Sequence, residues 1–188
     1  MRIFGVRTPM ITGHTNRAVR LATAVLLITS FLSHAAADST AGAVLVLPFE
    51  LNDLTLYPKI EQEQARVAVL QPFLIEELDV RHDRRVVNVP AAAAVEAAKG
   101  QGYLFERPEI VARLAREAGA AWAVNGRLHK ASHLFVYLKA QLVDATSGAV
   151  VSDHVVEIKG WGEKLTRKGV ESLGIQLDAA LDELNTGG

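Results

Sequence analysis

Two histidines four residues apart, His129 and His133 in the stretch LHKASHLFVY, have the type and spacing of metal ligands. In a hairpin with a three-residue loop they would lie opposite each other, about 5 Å apart between α-carbons. A zinc site needs at least one more protein ligand, and His154 is the only other histidine on the predicted hairpins. Pairing across the turn at 144–148 would place His154 opposite Lys139, roughly 20 Å from His133. We therefore expect no metal site and interpret both histidines as solvated turn residues.

The chain shows no other recognisable catalytic pattern. It has no cysteine, no Gly-x-Ser-x-Gly elbow and no His-Glu-x-x-His motif. The segment GQGY at 100–103 follows a predicted helix instead of a strand, unlike a dinucleotide-binding loop. The carboxylate pairs at 76–77 and 182–183 lie on predicted helices, where solvated acids are common. The sequence therefore predicts a protein that is not an enzyme and that binds no cofactor. The alternative is an enzyme whose active site is assembled from scattered residues without a motif.

The first 37 residues have the layout of a secretory signal peptide. Four arginines precede the apolar run 21–32, and the small residues Ala35 to Ala37 precede Asp38. The apolar run has about a dozen residues, fewer than the ~20 of a membrane-spanning helix. We predict cleavage, a mature chain of 38–188 without a stable transmembrane span, and a periplasmic location. A retained amino-terminal anchor is the alternative.

Composition limits the partners of the mature chain. The leader holds four of the 20 Lys and Arg and none of the 21 Asp and Glu, so residues 38–188 carry a net charge of −5. That charge argues against nucleic acid as a partner. Without cysteine, an exported domain depends on core packing alone for its stability.

Hydrophobic patterns predict a single α/β (α+β) domain in 38–188. The apolar run 43–49 predicts a buried strand, which Pro48 closes. A loop covers 50–58, and an amphipathic helix runs from 61 to 79. Pro72 should kink this helix or start a second helical segment. A strand at 85–89 and helices at 91–99 and 109–119 follow.

The carboxyl-terminal third differs, with predicted strands at about 121–129, 134–143 and 149–158 and a last helix at 163–184. These strands are joined by short turns and predict an antiparallel meander. Together the elements predict a mixed sheet of about five strands, with crossovers first and hairpins after, and about four helices packed on it.

Several segments resemble known bacterial envelope domains. VLVLPF, GAAWAVNGRL and KAQLVDATSGAVV are similar to the amino-terminal domain of TolB and its wider group. That group includes outer-membrane accessory proteins of the CsgG type and lipoprotein activators of penicillin-binding proteins. HKASHL, LVDATSG and IKGWGEKLTRKG resemble a family of exported bacterial proteins known only as a domain of unknown function. The resemblance spans about Val44 to Leu181 and implies a TolB-like fold.

The residues that carry the family resemblance lie in turns and in the last helix. They are Lys130, Ser132, Leu134, Asp144, Gly148, Gly160, Arg167 and Gly169. The resemblance supplies no catalytic role for any of them, and relatives often place a cysteine pair where this chain has GYLFERPE. In structural terms, Asp144 is expected to bond to the turn backbone, Gly148 to adopt a positive φ, and Gly160 to release the chain into the last helix.

The resemblance and the leader predict a non-enzymatic periplasmic accessory module that binds another cell-envelope protein. Partner-binding candidates are Lys130 and Ser132 at a turn that we expect to be exposed, Leu54 and Tyr57 with Leu56 in the first loop, and Tyr103 and Phe105 in another. The aromatic and apolar loop residues could instead fold back on the core. Pairing of an edge strand with a partner is a further route, although the sequence identifies neither the edge nor the oligomeric state.

The alternative function is binding or sensing of a small molecule. It requires a pocket lined by Trp122, Tyr137 and Trp161. Aromatic residues at strand positions more often belong to the core.

Overall fold

The computed structural model describes residues 42–56, 60–132 and 134–186, which form one domain with a six-stranded sheet. The predicted leader lies outside these residues. The strands are β1 (Val44–Val46), β2 (Glu50–Asp53), β3 (Val86–Val87), β4 (Trp122–Lys130), β5 (Phe135–Asp144) and β6 (Val150–Lys159). The helices are α1 (Ile60–Ala68), α2 (Leu70–Glu76), α3 (Ala92–Ala97), α4 (Pro108–Glu117) and α5 (Glu163–Thr186), and a π-helical turn, Glu77–Arg81, extends α2.

The sheet is mixed, as the sequence predicts. Its order is β3-β1-β4-β5-β6, and β2 also lies beside β4. β1 runs parallel to β3 and β4, and β2 runs parallel to β4. β4, β5 and β6 form the predicted antiparallel meander. The predicted fold class is thus confirmed, with one strand more than the five expected.

The additional strand is β2, which the sequence places in a loop. Its residues ELND are all half-buried, so the strand lacks the alternation that marks one buried face. β1 pairs with the first part of β4 and β2 with the last part, from Glu50 opposite Arg127 to Asp53 opposite Lys130. A parallel pairing with a strand about 75 residues away leaves no local signal in the sequence.

The predicted helix at 61–79 is divided in two. α1 ends at Ala68, and α2 begins at Leu70 with Pro72 in its first turn. Proline suits the first turn of a helix because its missing N–H has no partner there and its φ is already helical. The prediction that Pro72 would kink the helix or start a second segment is confirmed.

Helices cover both faces of the sheet, so the domain has three layers. On one face, α2 and α5 pack against β1, β4, β5 and β6 through buried side chains such as Leu74, Leu128 and Leu177. On the opposite face, α3 and α4 pack against β1, β4 and the adjacent end of β5 through Leu45, Val111 and others. This arrangement follows from the strand order. The chain crosses from β1 to β3 in one direction along the sheet and from β3 to β4 in the other, and because crossovers between parallel strands are right-handed, the two connections place their helices on opposite faces.

The hairpin strands each begin and end one residue later than predicted. Val143 pairs with Val150 as expected, but a bulge between Leu142 and Val143 shifts the register beyond it. His154 therefore lies opposite Ala140 instead of Lys139. A bulge inserts one residue into one strand, and no hydrophobic pattern announces it.

Candidate functional site

The β4–β5 hairpin does not pair the two histidines. β4 ends at Lys130 and β5 begins at Phe135, so the loop has four residues instead of the three expected. His129 lies opposite Tyr137, with their ring centroids 6.3 Å apart, and His133 lies outside the described residues. The expected pairing of the histidines is therefore wrong.

His129 has a hydrogen-bond partner of its own. Its Nδ1 lies 3.1 Å from Nδ2 of Asn52 on β2. Burial lowers the pKa of His129, and the charges of Lys139 and Arg127 lower it further. A neutral ring can accept the amide hydrogen at Nδ1, which joins β2 to β4. In the described part of the chain, no three His, Cys, Asp or Glu side chains lie close enough together to hold a metal ion.

Lys130 is fully buried, which corrects our expectation that it lies on an exposed turn and contacts a partner. Its Nζ lies 3.0 Å from Oδ2 of Asp53 and 3.2 Å from Oε1 of Glu63. Glu63 is also fully buried, and the Asp53 side chain is 6% exposed. Nζ lies 5.3 Å from the centroid of the Trp161 ring, within the range of a cation–π interaction. The cluster of Lys130, Asp53 and Glu63 joins β4, β2 and α1.

Asp53 is held in its charged form. Burial raises its pKa, but hydrogen bonds from the hydroxyl and amide of Thr55 and the ammonium of Lys130 outweigh burial and lower the pKa. Thr55 Oγ1 lies 2.6 Å and Thr55 N 2.9 Å from Oδ1 of Asp53. The carboxylate therefore also fixes the direction in which the chain leaves β2.

Above this cluster, exposed apolar side chains gather at one end of the sheet. Leu54 is 63% exposed, Leu56 91%, Leu134 66% and Phe135 38%, and we call these four residues the apolar tip. Backbone bonds attach each segment to a neighbouring strand end: Leu54 N–H donates to the carbonyl of Lys130 at the end of β4, and Gly160 N–H, just after β6, donates to that of Leu134. Tyr57, the remaining candidate of the first loop, lies outside the described residues.

Ser132 shapes the loop beside the tip. Its Oγ accepts hydrogen bonds from the backbone N–H groups of Leu134 and Phe135, at 3.2 and 3.1 Å. These bonds turn the chain toward β5. The contact with a partner that we predict for Ser132 stays a prediction.

Tyr103 and Phe105 are half-buried in the loop between α3 and α4. Tyr103 packs against the core of α3 and α4, with Lys99 Nζ 5.2 Å from its ring centroid. The guanidinium carbon of Arg127 lies 3.5 Å from the ring centroid of Phe105. Both rings thus fold back on the domain, and neither belongs to the apolar tip.

The turn residues singled out from the sequence have local contacts. Asp144 Oδ1 accepts hydrogen bonds from the backbone N–H groups of Thr146 and Ser147, at 2.6 and 3.3 Å. Gly148 has a φ of +74°, and Gly160, between β6 and α5, has a φ of +98°.

The structure does not form the aromatic pocket of the alternative hypothesis. Trp122 lies at the first residue of β4, and Tyr137 lies opposite His129, seven residues further along that strand. Seven residues of a strand span about 23 Å. Trp122 packs in the core under α2 and α5, whereas Tyr137 is on the opposite face because it alternates with the core residues Val136 and Leu138. Trp122 and Tyr137 cannot line one pocket.

A cleft of about 440 Å³ lies elsewhere, where β1 ends and β2 begins. Its lining includes Phe49 from the junction, Gly126 from β4, Gln64 from α1, and Gln101 and Leu104 from the segment after α3. In α/β sheets, the crevice outside the carboxyl ends of parallel strands is a common ligand site. Sequence reasoning missed this cleft because it depends on the position of β2.

The family is clear from the sequence. The family model DUF3280, described as "Protein of unknown function (DUF2380)", matches residues 42–175, and the chain belongs to this family. The expected membership of a family of unknown function is confirmed. A search of curated proteins found no match. No helix in the described segments is long and apolar enough to cross a membrane.

Solved structures similar to this domain include three bacterial proteins. The PelC dodecamer from Paraburkholderia phytofirmans is 17% identical with a TM-score of 0.47, and the match covers 74% of this chain and 86% of that one. The LpoB C-terminal domain from Salmonella enterica is 16% identical with a TM-score of 0.41, covering 63% and 83%. TolB from Acinetobacter baumannii is 18% identical with a TM-score of 0.43, covering 77% of this chain and 28% of TolB. At these identities the similarity concerns the fold alone.

Proposed function

We propose that this protein is a non-enzymatic accessory module of the bacterial cell envelope that binds another envelope protein through the apolar tip. The observation that carries the proposal is the exposure of Leu54, Leu56, Leu134 and Phe135 at one end of the sheet. Exposed apolar groups that cluster on one surface mark interaction sites more often than scattered ones do. The predicted leader supports a periplasmic location.

The buried ion-pair cluster next to the apolar tip supports the same proposal. The Lys130, Asp53 and Glu63 cluster fixes the ends of β4 and β2 and the start of the loop that carries Leu54. A rigid support lowers the entropy lost when exposed side chains bind a partner. The buried lysine therefore acts on the interface through position and does not touch the partner.

The first prediction concerns capture of a partner from envelope extracts. A tagged protein with Leu54→Asp and Leu134→Asp should lose an envelope protein that the unmodified protein retains, because charges at the centre of an apolar interface are strongly unfavourable. Mass spectrometry of the material bound after affinity purification measures this loss.

The matched control carries Val95→Asp on α3 and Ile175→Asp on α5. These side chains are 66% and 59% exposed, similar to those of Leu54 and Leu134, but lie away from the tip. The control should retain the partner. Equal loss in both variants, or a partner retained by the tip variant, would contradict the proposal.

The cleft at the end of β1 favours a second candidate function, the binding or sensing of a small molecule in the periplasm. Its volume lies within the range of ligand pockets, and it combines apolar side chains with the amides of Gln64 and Gln101. If this function holds, native mass spectrometry of the gently purified protein should show a bound small molecule. Ala97→Trp, which fills the cleft, should abolish that extra mass, and the same species in both proteins would exclude the cleft as its site.

A further inference from the structure

The outer edge of β6 has no strand partner in the described segments. β6 is ten residues long, ends the sheet, and pairs with β5 alone. At every second residue, the backbone N–H and C=O groups therefore point away from the sheet. An open edge of this length is a template for another strand.

A groove borders the carboxyl-terminal part of this edge. It has a volume of about 400 Å³ and lies between residues 156–159 of β6 and one side of α5, including Leu165, Lys168 and Ser172. α5 packs tightly on the sheet face because Gly169 has no side chain: a Cβ there would lie 2.5 Å from Cδ1 of Ile158. The helix thus covers the face of β6 and leaves its backbone edge open.

We infer that β6 of a second copy of this chain occupies the groove, antiparallel and with Val156 on the twofold axis. The charges of β6 carry this choice. In this register, Asp153 of each copy lies opposite Lys159 of the other, on the same face of the joined sheet, and symmetry makes two such pairs. Both side chains are exposed in one copy. Lys159, 74% exposed, has Glu157 Oε1 of its own strand 3.3 Å from its Nζ, and in the dimer it would also face Asp153 of the second copy.

Neighbouring registers are disfavoured by the same side chains. A shift that places Val155 on the axis would bring Asp153 opposite Glu157 of the second copy, twice. A shift in the other direction would bring the two Glu157 carboxylates together. Like charges directly opposite each other destabilise paired strands. The charged side chains of β6 therefore protect this edge from other strands, yet favour pairing with a second β6 in this one register.

Charge reversal tests this inference, which does not depend on the proposed envelope partner. The protein is expressed from its full sequence, and its mass in solution is measured by sedimentation equilibrium across micromolar concentrations. We expect a dimer, a dissociation constant about tenfold or more higher for Asp153→Lys or Lys159→Asp alone, and recovery in the double variant. Glu183→Lys, an exposed acid on α5 away from the groove, should leave the dimer unchanged.

A disulfide trap tests the register directly, because the chain contains no cysteine. Val156→Cys should form a crosslinked dimer on mild oxidation, since residues opposite each other on the axis have Cβ atoms about 5 Å apart. Val155→Cys should crosslink poorly, because the nearest copy of that residue is a diagonal neighbour at about 7–8 Å. A monomeric wild-type protein, a double charge variant that stays dissociated, or preferential crosslinking at 155 would each overturn the inference.

Discussion

Replacing Lys130 with alanine is expected to lower the free energy of unfolding by about 3–5 kcal/mol, the largest effect of any exchange at the hairpin. The lysine is fully buried, and its removal leaves the carboxylates of Asp53 and Glu63, which have little or no exposure to solvent, without their cation. An unpaired buried charge costs several kcal/mol, and the lost contacts of the four-carbon chain add to that cost. Urea denaturation followed by circular dichroism at neutral pH measures the difference.

A second variant separates the lost charge from the lost volume. Lys130→Met keeps a chain of similar length, so it should recover part of the packing but remain strongly destabilised. Combining Lys130→Met with Asp53→Asn and Glu63→Gln removes all three charges and should be considerably more stable than Lys130→Met alone. A loss below about 1 kcal/mol for Lys130→Ala would show that the lysine is solvated and that the cluster does not form.

The position of Lys130 shows how far the sequence determines the site. Core residues of β4 alternate, with Val124 and Leu128 facing α2 and α5, and the same period of two places Lys130 on that face. The strand pattern therefore contained the signal for an inward lysine. Its two acidic partners are not visible in the same way, because Asp53 reaches Lys130 through a parallel pairing and Glu63 through the packing of α1 on the sheet.

The same distinction applies to the fold. Elements with strong local patterns, such as the meander and α5, were predicted to within one or two residues. β2 was missed because a short, half-buried polar strand differs from a loop only by its distant partner. The cleft and the apolar tip both border β2. Local patterns identified Leu54 and Leu56 as loop candidates, but not the cleft or the strand pairing that positions these residues.

The second large effect on stability concerns Phe49, which lies between β1 and β2. Gly126 on β4 faces the ring of Phe49, and a Cβ at this glycine would overlap the nearest ring carbon. Phe49 is 6% exposed and belongs to the core, so the ring has little freedom to move away. Gly126→Ala is therefore expected to destabilise the domain by about 3 kcal/mol, at the upper end of the usual cost of overpacking.

The direction of the stability change tests the contact with Phe49, because Gly126 does not have a positive φ that would itself disfavour alanine. Without the contact, alanine in the middle of a strand would stabilise the protein by roughly 0.5–1 kcal/mol relative to glycine. A stabilised Gly126→Ala variant would therefore contradict the close approach of Phe49. Differential scanning calorimetry and urea denaturation both report the sign.

A double-mutant cycle assigns the cost to this one contact. Phe49→Ala alone should cost about 3–5 kcal/mol through the cavity that it leaves. In the presence of Phe49→Ala, the added methyl group of Gly126→Ala has space, so the double variant should be about as stable as Phe49→Ala alone. Additive losses would mean that the methyl group meets a different obstacle. Because Phe49 and Gly126 both line the cleft, coupling between them would also establish that the cleft wall is a packed part of the core.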